Sequence, residues 1–139
     1  MSPTQGINKL FDQSIGALNK AMDLYWYRSQ AITSNISNAE TPGYKAVDVD
    51  FANELERAFE KDKIKEQQTS KGHLAAEDSS MSAHLVGDFS GATKGDGNNV
   101  DIDIQMGKLA TNASDYNLSA SLVRKKLQIL RNAIRYSQS

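Results

Sequence analysis

The 139-residue chain has no cysteine and only two prolines. The absence of cysteine excludes disulfides, thiolate metal sites and thiol catalysis, although it assigns the protein to no redox compartment. No apolar run approaches the roughly 18 residues that a membrane-spanning helix needs, so we expect no direct membrane insertion. The N-terminal sequence lacks a basic segment followed by an apolar one. We therefore expect export, if it occurs, without a cleaved signal peptide.

Neither sign of charge predominates, because 16 basic and 17 acidic residues leave a formal net charge of −1. This balance provides no general attraction to nucleic acid or to an anionic membrane. Hydrophobic residues make up 39% and aromatic residues 7% of the chain, which is little for one compact core. We expect a single domain over 1–139 that is elongated, partly disordered or completed by partners.

The N-terminal part, residues 7–38, has apolar residues at the spacing of a coiled coil. Two series, each with a step of seven residues, are offset by four, and together they predict a seam about four heptads long. The series are Phe11, Leu18, Tyr25 and Ile32, and then Ile15, Met22, Ser29 and Ile36. At about 1.5 Å per residue, the predicted helix is about 48 Å long, which is typical of assembly helices.

The C-terminal part, residues 100–137, repeats this pattern and predicts a second long helix. Its two series are Leu109, Tyr116, Val123 and Leu130, and Ala113, Ala120, Leu127 and Ile134. Acidic residues near its start and basic residues near its end complement the helix dipole. The predicted fold is therefore mainly α, with two long terminal helices packed as a coiled-coil-like pair, most simply antiparallel. Apolar residues outside the seam, such as Leu122 and Ile129, indicate further partners.

The middle of the chain predicts irregular structure. Pro42-Gly43 has the signature of a type II turn, because glycine takes a positive φ at the third position without strain. Residues 39–60 are interpreted as this turn, a short extended segment and a short helix. Residues 61–99 show no sustained period and contain a glycine-rich end, so we predict a long flexible loop.

Sequence motifs for chemistry are weak. His73 and His84 lie in the predicted loop without a metal-ligand spacing, and neither possible calcium-loop frame around Asp96 and Asp101 fits an EF-hand. No phosphate-binding loop or nucleophile elbow is present. The basic residues of the C-terminal helix flank an apolar seam, which favours a solvated or subunit-facing surface over a nucleic-acid site. We expect no enzyme activity, no cofactor, no metal and no nucleic-acid partner.

The most informative motif is SNISNAETPGYK, residues 34–45. On the residues alone it is an ordinary helix end followed by a turn, in which asparagine side chains can bind free backbone groups. It also resembles the signature Ala-Asn-x-Ala-Asn-x-x-Thr-Pro-Gly-Tyr of the axial proteins of the bacterial flagellum, which are the rod and hook subunits. The matching residues are Asn35, Asn38, Thr41, Pro42, Gly43 and Tyr44, whereas Ser34 and Ser37 replace the two alanines.

Two further stretches, YKAVDVDF (44–51) and DGNNVDIDIQMGKLATN (96–112), resemble the short proximal-rod subunits of that family. The short chain does not fit hook or distal-rod proteins, which insert larger domains. The resemblance implies a structural subunit of the proximal rod of the flagellar basal body, in the periplasm, which assembles helically through its terminal helices and transmits motor torque for motility. It also implies export through the flagellar type III apparatus.

The partners implied by the resemblance are other copies of the chain, other rod subunits, the rod–ring adaptor FliE and, during secretion, the export apparatus. The alternative is a cytosolic coiled-coil adaptor or secretion chaperone, which would be a stable folded oligomer in the cytoplasm. A basic-helix nucleic-acid binder is a second alternative. Neither alternative accounts for the turn signature at residues 41–44.

Overall fold

The computed structural model describes residues 3–57 and 83–137, with side chains from Ser14 onward in the first helix. Helix α1 spans Pro3–Ser37 and helix α3 spans Ile102–Ser137. Between them lie strand β1 (Val47–Val49), a helix α2 over 51–57 and strand β2 (Leu85–Gly87). The fold is therefore mainly α with a long helix at each end, which confirms the predicted fold class.

Helices α1 and α3 are antiparallel. Asn35 Nδ2 donates to Gln105 Oε1 at 3.0 Å, Asn112 Nδ2 donates to the Tyr25 carbonyl at 2.8 Å, and Lys126 contacts Ser14. The first and last of these contacts are separated by the same number of residues on both helices. The start of α3 consequently packs beside the end of α1, and the two helices stay in register along their shared length.

Both helix ends at this side of the molecule are capped by side chains. Helix α1 ends at Ser37, and the Ser34 carbonyl accepts from both the amide and the Nδ2 of Asn38, at 3.1 and 2.8 Å. Helix α3 begins two residues later than predicted because Asp101 is its N-cap. The Asp101 carboxylate accepts from the Asp103 and Ile104 amides at 3.0 and 3.2 Å. These caps satisfy backbone groups that a helix end otherwise leaves without partners.

The predicted type II turn follows α1. The Tyr44 amide donates to the Thr41 carbonyl at 3.2 Å, and Gly43 has a φ of 74°. The extended segment predicted after the turn is β1, and it pairs with β2 in an antiparallel register that aligns Val47 with Gly87. The turn therefore redirects the chain from the end of α1 back along the helix, where β1 contacts it.

The predicted loop over 61–99 requires a correction. Residues 85–87 form a strand, and Asp88, Asn98 and Asn99 are buried, so the stretch 83–99 is an ordered part of the fold. Its partners lie far away in sequence, which is why a local pattern did not predict them. Residues 58–82, including His73 and the predicted end of the short helix, lie outside the described residues.

The buried apolar side chains are concentrated where α1, β1 and the start of α3 meet. They are Leu24, Ala31, Ile32, Ala39, Ala46, Val49 and Val100. Tyr25 also stacks on Phe51 with ring centroids 4.7 Å apart, which ties α2 to α1. The small core therefore lies at one end of the helix pair. Within the described residues, neither long helix has the length of apolar sequence that a bilayer crossing requires.

Candidate functional site

The motif at the end of α1 and the segment before α3 form one hydrogen-bonded cluster, which we name the junction. It is built from residues 34–48 and 88–105, so that segments more than fifty residues apart in sequence meet. The side chains that hold it together are Asn35, Asn38, Tyr44, Asp88, Asn98, Asn99 and Gln105. The junction places the start of α3 against the end of α1.

Asn98 links the two motifs directly. It is fully buried, and its Nδ2 donates to the carbonyls of Asn38 at 2.9 Å and Thr41 at 2.8 Å. Its Oδ1 accepts from the Val100 amide at 2.7 Å. One side chain therefore satisfies backbone groups of the turn after α1 and of the segment that leads into α3. This bridge fixes the entry of α3 relative to the exit of α1.

Asn99 joins a different pair of segments. Its Oδ1 accepts from the Ala46 amide at 2.7 Å, and its Nδ2 donates to the Asp88 carbonyl at 2.8 Å. The Asp88 amide in turn donates to the Ala46 carbonyl at 2.8 Å. Asn99 thus substitutes for a strand neighbour beside the two-stranded sheet, which keeps buried backbone groups paired.

Asn35 uses its whole hydrogen-bonding capacity. Its Nδ2 donates to the Val47 carbonyl at 2.7 Å and to Gln105 Oε1 at 3.0 Å. Its Oδ1 accepts from the Val47 amide at 3.0 Å and from the Tyr44 hydroxyl at 3.2 Å. A primary amide can donate twice and accept twice, so this fully buried side chain has no unmet bond. Asn35 consequently ties α1 to the turn, to β1 and to α3.

Two partly buried ion pairs lie next to these asparagines. Asp88 Oδ2 accepts from Lys108 Nζ at 2.5 Å and from Gln105 Nε2 at 2.8 Å. Arg28 donates to both carboxylate oxygens of Asp48 at 2.8 and 2.9 Å. The bidentate Arg28–Asp48 pair fixes orientation as well as adding energy. They connect α1 to β1 and α3 to the segment after β2.

The pKa of Asp88 reflects this environment. Burial opposes ionisation, but hydrogen bonds from Lys108, Ser90 and Gln105 outweigh it and hold the pKa of Asp88 well below its usual value. Burial likewise opposes ionisation of Asp48, and the hydrogen bond from Arg28 outweighs it, so the pKa of Asp48 is also lowered. Both carboxylates therefore remain charged at neutral pH and keep their ion pairs.

Close backbone packing explains two glycines of the segment before α3. A Cβ atom at Gly91 would lie 2.3 Å from the Asn99 carbonyl oxygen, which no side chain can tolerate without a backbone shift. Gly97 has a φ of 84°, and its position lies against Gly43 of the type II turn. The two left-handed glycines thus face each other, which allows the turn and the pre-α3 segment to approach closely.

A series of polar residues on α3 faces α1, which we name the polar seam. Gln105, Asn112 and Ser119 are buried and seven residues apart, and Lys126, which contacts Ser14, is the next residue in this series. Gln105 and Asn112 bond to α1. The Oδ1 of Asn112 is the buried side-chain acceptor that has no partner among the described residues. Buried polar side chains of α3 thus take part in the contact between the two helices, together with buried apolar residues of α1 such as Leu24 and Ile32. The apolar periodicity did not predict these polar residues.

The predicted apolar seam residues lie beside the polar seam. On α1, Ile32 is fully buried, Ile15, Leu18, Met22, Tyr25 and Ile36 are half-buried, and the Phe11 side chain lies outside the described ones. On α3, Leu109, Ala120 and Val123 are half-buried, and Ala113, Tyr116, Leu127, Leu130 and Ile134 are exposed. The first α3 series follows each polar-seam residue by four positions, which is about 40° further around the helix.

A second apolar stripe lies on the other side of the polar seam. Leu122 and Ile129 follow polar-seam residues by three positions, and each is more than 40% exposed. Positions three and four residues along an α-helix lie on opposite sides of the starting residue. Helix α3 therefore has apolar residues along both edges of its contact with α1, and the single chain leaves much of this surface uncovered.

The described residues also contain a polar surface depression of about 470 Å³ beside α2. It includes Arg57, which donates to Glu54 at 3.2 Å, and His84, whose Nδ1 lies 3.8 Å from the same carboxylate. Across residues 3–57 and 83–137, no group of three or more histidine, aspartate or glutamate residues is arranged to hold a metal ion. The arrangement is a surface ion-pair cluster.

The sequence pattern indicated part of the junction but missed other residues. Asn35, Asn38 and Tyr44 belong to the predicted motif, and the structure brings them together. Asn98, Asn99, Gln105 and Asn112 lie in the stretch 96–112 that carries the second resemblance, but their contacts were not predicted. Asp88 was not singled out at all. A signal for the polar seam is nevertheless visible, because polar residues recur with the same seven-residue step as the apolar ones. Asn98 and Asn99 are adjacent and belong to no repeating pattern, so no periodic signal in the sequence could have indicated their contacts.

Comparison with known proteins identifies the family, although no family model matches the chain. The chain is 31% identical to the flagellar basal body rod protein FlgB of Cereibacter sphaeroides over 125 residues, covering 90% of this chain and 96% of that protein. It is 30% identical to FlgB of Bacillus subtilis, with 90% and 95% covered. For FlgB of Aeromonas hydrophila, the identity is 29%, with 92% and 97% covered. The chain therefore belongs to the FlgB family of flagellar basal body rod proteins.

Proposed function

We propose that the chain is a structural, non-enzymatic subunit of the proximal rod of the bacterial flagellar basal body. It assembles helically through its terminal helices and transmits motor torque. The observation that carries this proposal is the arrangement of α1 and α3. Hydrogen bonds hold the two helices together at the junction, while apolar residues of α3 stay exposed on both edges of their contact. The FlgB relatives, each described as a flagellar basal body rod protein, support the same role.

The exposed apolar edges are the proposed assembly surfaces. A soluble monomer rarely leaves long apolar stripes uncovered, so neighbouring subunits are the natural partners for them. The two edges differ in sequence, so one edge of a subunit would meet a different surface of its neighbour. Contacts of this heterologous kind, when they do not close into a ring, build a helical filament. In this proposal, the predicted seam residues bury partly within the chain and partly against neighbours.

The remaining parts of the proposal concern partners and location. The partners are further copies of the chain, other rod subunits and the rod–ring adaptor FliE. The flagellar type III export apparatus carries the chain to the periplasmic rod. Export in an unfolded state is compatible with the small number of buried apolar residues among the described ones. The balanced overall charge gives no support for a nucleic-acid partner.

The test is to isolate basal bodies from the source bacterium in detergent and to search for the chain by mass spectrometry. We expect it to be enriched with the rod proteins, and we expect a strain lacking the gene to be non-motile until the gene is restored. Recovery of the chain as a soluble cytosolic oligomer, with none in the basal body, would contradict the proposal. That outcome would favour the coiled-coil adaptor or secretion chaperone instead.

A further inference from the structure

The described fold carries opposite charges at its two ends. At the junction end, residues 38–57 and 83–108 contain nine acidic and four basic residues. Two of these acids, Asp48 and Asp88, are paired with Arg28 and Lys108, which leaves a smaller acidic excess. At the other end of α3, residues 116–136, which we name the tail, contain five basic residues and no acidic one. The formal charge of −1 for the whole chain hides this separation. The tail bases are Arg124, Lys125, Lys126, Arg131 and Arg135.

The helix dipole explains only a small part of the basic tail. A cation is stabilised by the dipole only within the last turn of a helix, and Arg135 is the basic residue in that turn of α3. Arg124 and Lys125 lie about three turns earlier, and both are exposed. Arg124 donates to the Ala120 carbonyl and the Ser121 hydroxyl of its own helix, at 3.4 and 3.5 Å. Neither hydrogen bond neutralises its positive charge, because both acceptors are uncharged.

Exposed apolar side chains accompany the charge at each end. In the tail, Leu127 and Ile129 are each 49% exposed. At the junction end, Phe89 is 86% exposed and Met106 is 51% exposed, although both lie close in sequence to buried residues. Charge and apolar surface thus coincide at both ends, which is the composition of a protein–protein contact with an apolar centre and a charged rim.

The two ends cannot neutralise each other within one chain. Arg131 lies roughly 40 Å along α3 from Ile102, at 1.5 Å per residue. The Debye length at physiological salt is only about 8 Å, so the opposite charges are screened from each other in the free subunit. They interact only when the tail of one subunit approaches the acidic end of another.

We propose that the tail of α3 docks on the acidic, apolar end of the axially adjacent rod subunit, an end built like the junction end of this chain. This inference rests on the proposed rod function. It adds which ends of neighbouring subunits meet and which types of side chain hold them together. The subunits stack head to tail, the tail's leucine and isoleucine side chains fill the apolar centre, and the arginines pair with carboxylates at the rim. Such a contact joins two different surfaces, so it is heterologous and extends as a filament when its rotation does not close a ring.

The experiment is photo-cross-linking in motile cells. A photoreactive amino acid replaces Asn132, an exposed tail residue, and the control position is Ser114, which is exposed outside both ends. Basal bodies are isolated after illumination, and mass spectrometry identifies the cross-linked peptides. We expect the Asn132 probe to capture the acidic stretch before the C-terminal helix of a neighbouring rod subunit, and the Ser114 probe not to capture it.

Charge variants sharpen the result. The double variant Arg131→Glu with Arg135→Glu is expected to lower this cross-link about tenfold, because like charges then face each other. The matched control, Arg131→Lys with Arg135→Lys, keeps the positive charge and is expected to keep the cross-link. Circular dichroism of each purified variant checks that the helices are retained.

The outcomes separate this inference from the proposed function. If the chain is present in basal bodies and the Asn132 probe captures a basic tail, a helix middle or nothing, head-to-tail docking is overturned while the rod function stands. An equal loss of the cross-link in the lysine control would also overturn it, because charge would then not be responsible. If the chain is absent from basal bodies, the proposed function itself fails.

Discussion

The junction and the tail are stabilised in contrasting ways. In the junction, asparagine and glutamine side chains are buried and bonded, whereas in the tail leucine and isoleucine side chains remain about half exposed. The usual distribution of polar and apolar residues is thus partly reversed between the two regions. At the junction, polar groups fix the geometry within the chain. In the tail, apolar groups remain available for contact with another molecule.

This difference separates two tasks along the same helix pair. Hydrogen bonds are directional, so buried amides such as Asn35 specify one arrangement of α1, β1 and α3. Apolar burial is non-directional and supplies most of the energy of association. We infer that the junction defines the shape of the subunit and that the tail contributes to binding its neighbours. Variants in the two regions should therefore affect different measurements.

The largest expected effect is at the junction end of α1, with Ile32→Asp. Ile32 is fully buried, and an unpaired carboxylate at this position is expected to cost about 4 kcal/mol or more of folding free energy. Urea unfolding of the purified chain, followed by circular dichroism, measures this cost. The control Ile32→Val should cost only about 1 kcal/mol. Similar unfolding midpoints for the two variants would contradict the burial of this residue.

The next effect is expected for Asn98→Ala, which removes a bridge of the junction without adding charge. The Val100 amide loses its acceptor, and the carbonyls of Asn38 and Thr41 each lose one of two donors, so the expected cost is about 3 kcal/mol. Asn132→Ala, on the exposed face of α3, is the matched control and should change stability by less than about 0.5 kcal/mol. A small effect at Asn98 would mean that the junction does not depend on this bridge.

A smaller, pH-dependent effect is expected from Asp88. Its pKa is lowered in the folded chain, so the stability that it contributes is complete above the unfolded pKa of about 4 and is lost as the pH falls below that value. Asp88→Asn should cost about 2 kcal/mol at pH 7, because Lys108 loses the nearer of its two carboxylate partners and keeps only Asp48, at 3.6 Å.

Urea midpoints measured between about pH 7 and pH 2 test this prediction. The variant should lose less stability on acidification than the original chain, and it should keep the part of the acid dependence that comes from the lowered pKa of Asp48. Parallel pH profiles for the two proteins would show that the Asp88 carboxylate does not contribute in this way.

The smallest effect on folding is expected in the tail, with Leu127→Asp. Because Leu127 is half exposed, the cost to the free subunit should be less than about 1 kcal/mol. Incorporation into the basal body and motility should nevertheless be lost, because the proposed contact would bury an unpaired charge. Leu127→Met is the control that keeps an apolar surface. Normal swimming of the Leu127→Asp strain would remove this residue from the assembly surface.

The local parts of the fold could be predicted from the sequence. Periodicity gave the two long helices, Pro42-Gly43 gave the type II turn, and alternation of Val47 and Val49 gave the first strand. Each of these depends on residues that are neighbours along the chain or one helical turn apart. The helix ends were also within a few residues of the observed ones, because their caps are encoded by adjacent polar side chains.

The non-local parts could not be predicted in this way. Strand β2 exists because it pairs with β1, nearly forty residues away. Likewise, the need for glycine at position 91 comes from its close contact with the Asn99 carbonyl. The apolar heptads located the helices but did not indicate which face packs inside the chain. Periodicity records every apolar contact that a helix makes, and it does not separate contacts within a subunit from those with neighbours. Polar repeats at the same spacing were needed to identify the inner face.

The polar seam has a mechanical consequence for a subunit under load. A hydrogen bond weakens steeply when donor and acceptor move apart by about 1 Å or turn out of line. Apolar surfaces, in contrast, can slide past each other while staying in contact. Sliding α3 along α1 would break the bonds of Asn35 and Asn112 to the opposite helix before any new partner came within reach. The helix pair should therefore resist shear stiffly and fail abruptly, so that an applied force turns the subunit as a unit and does not lengthen it.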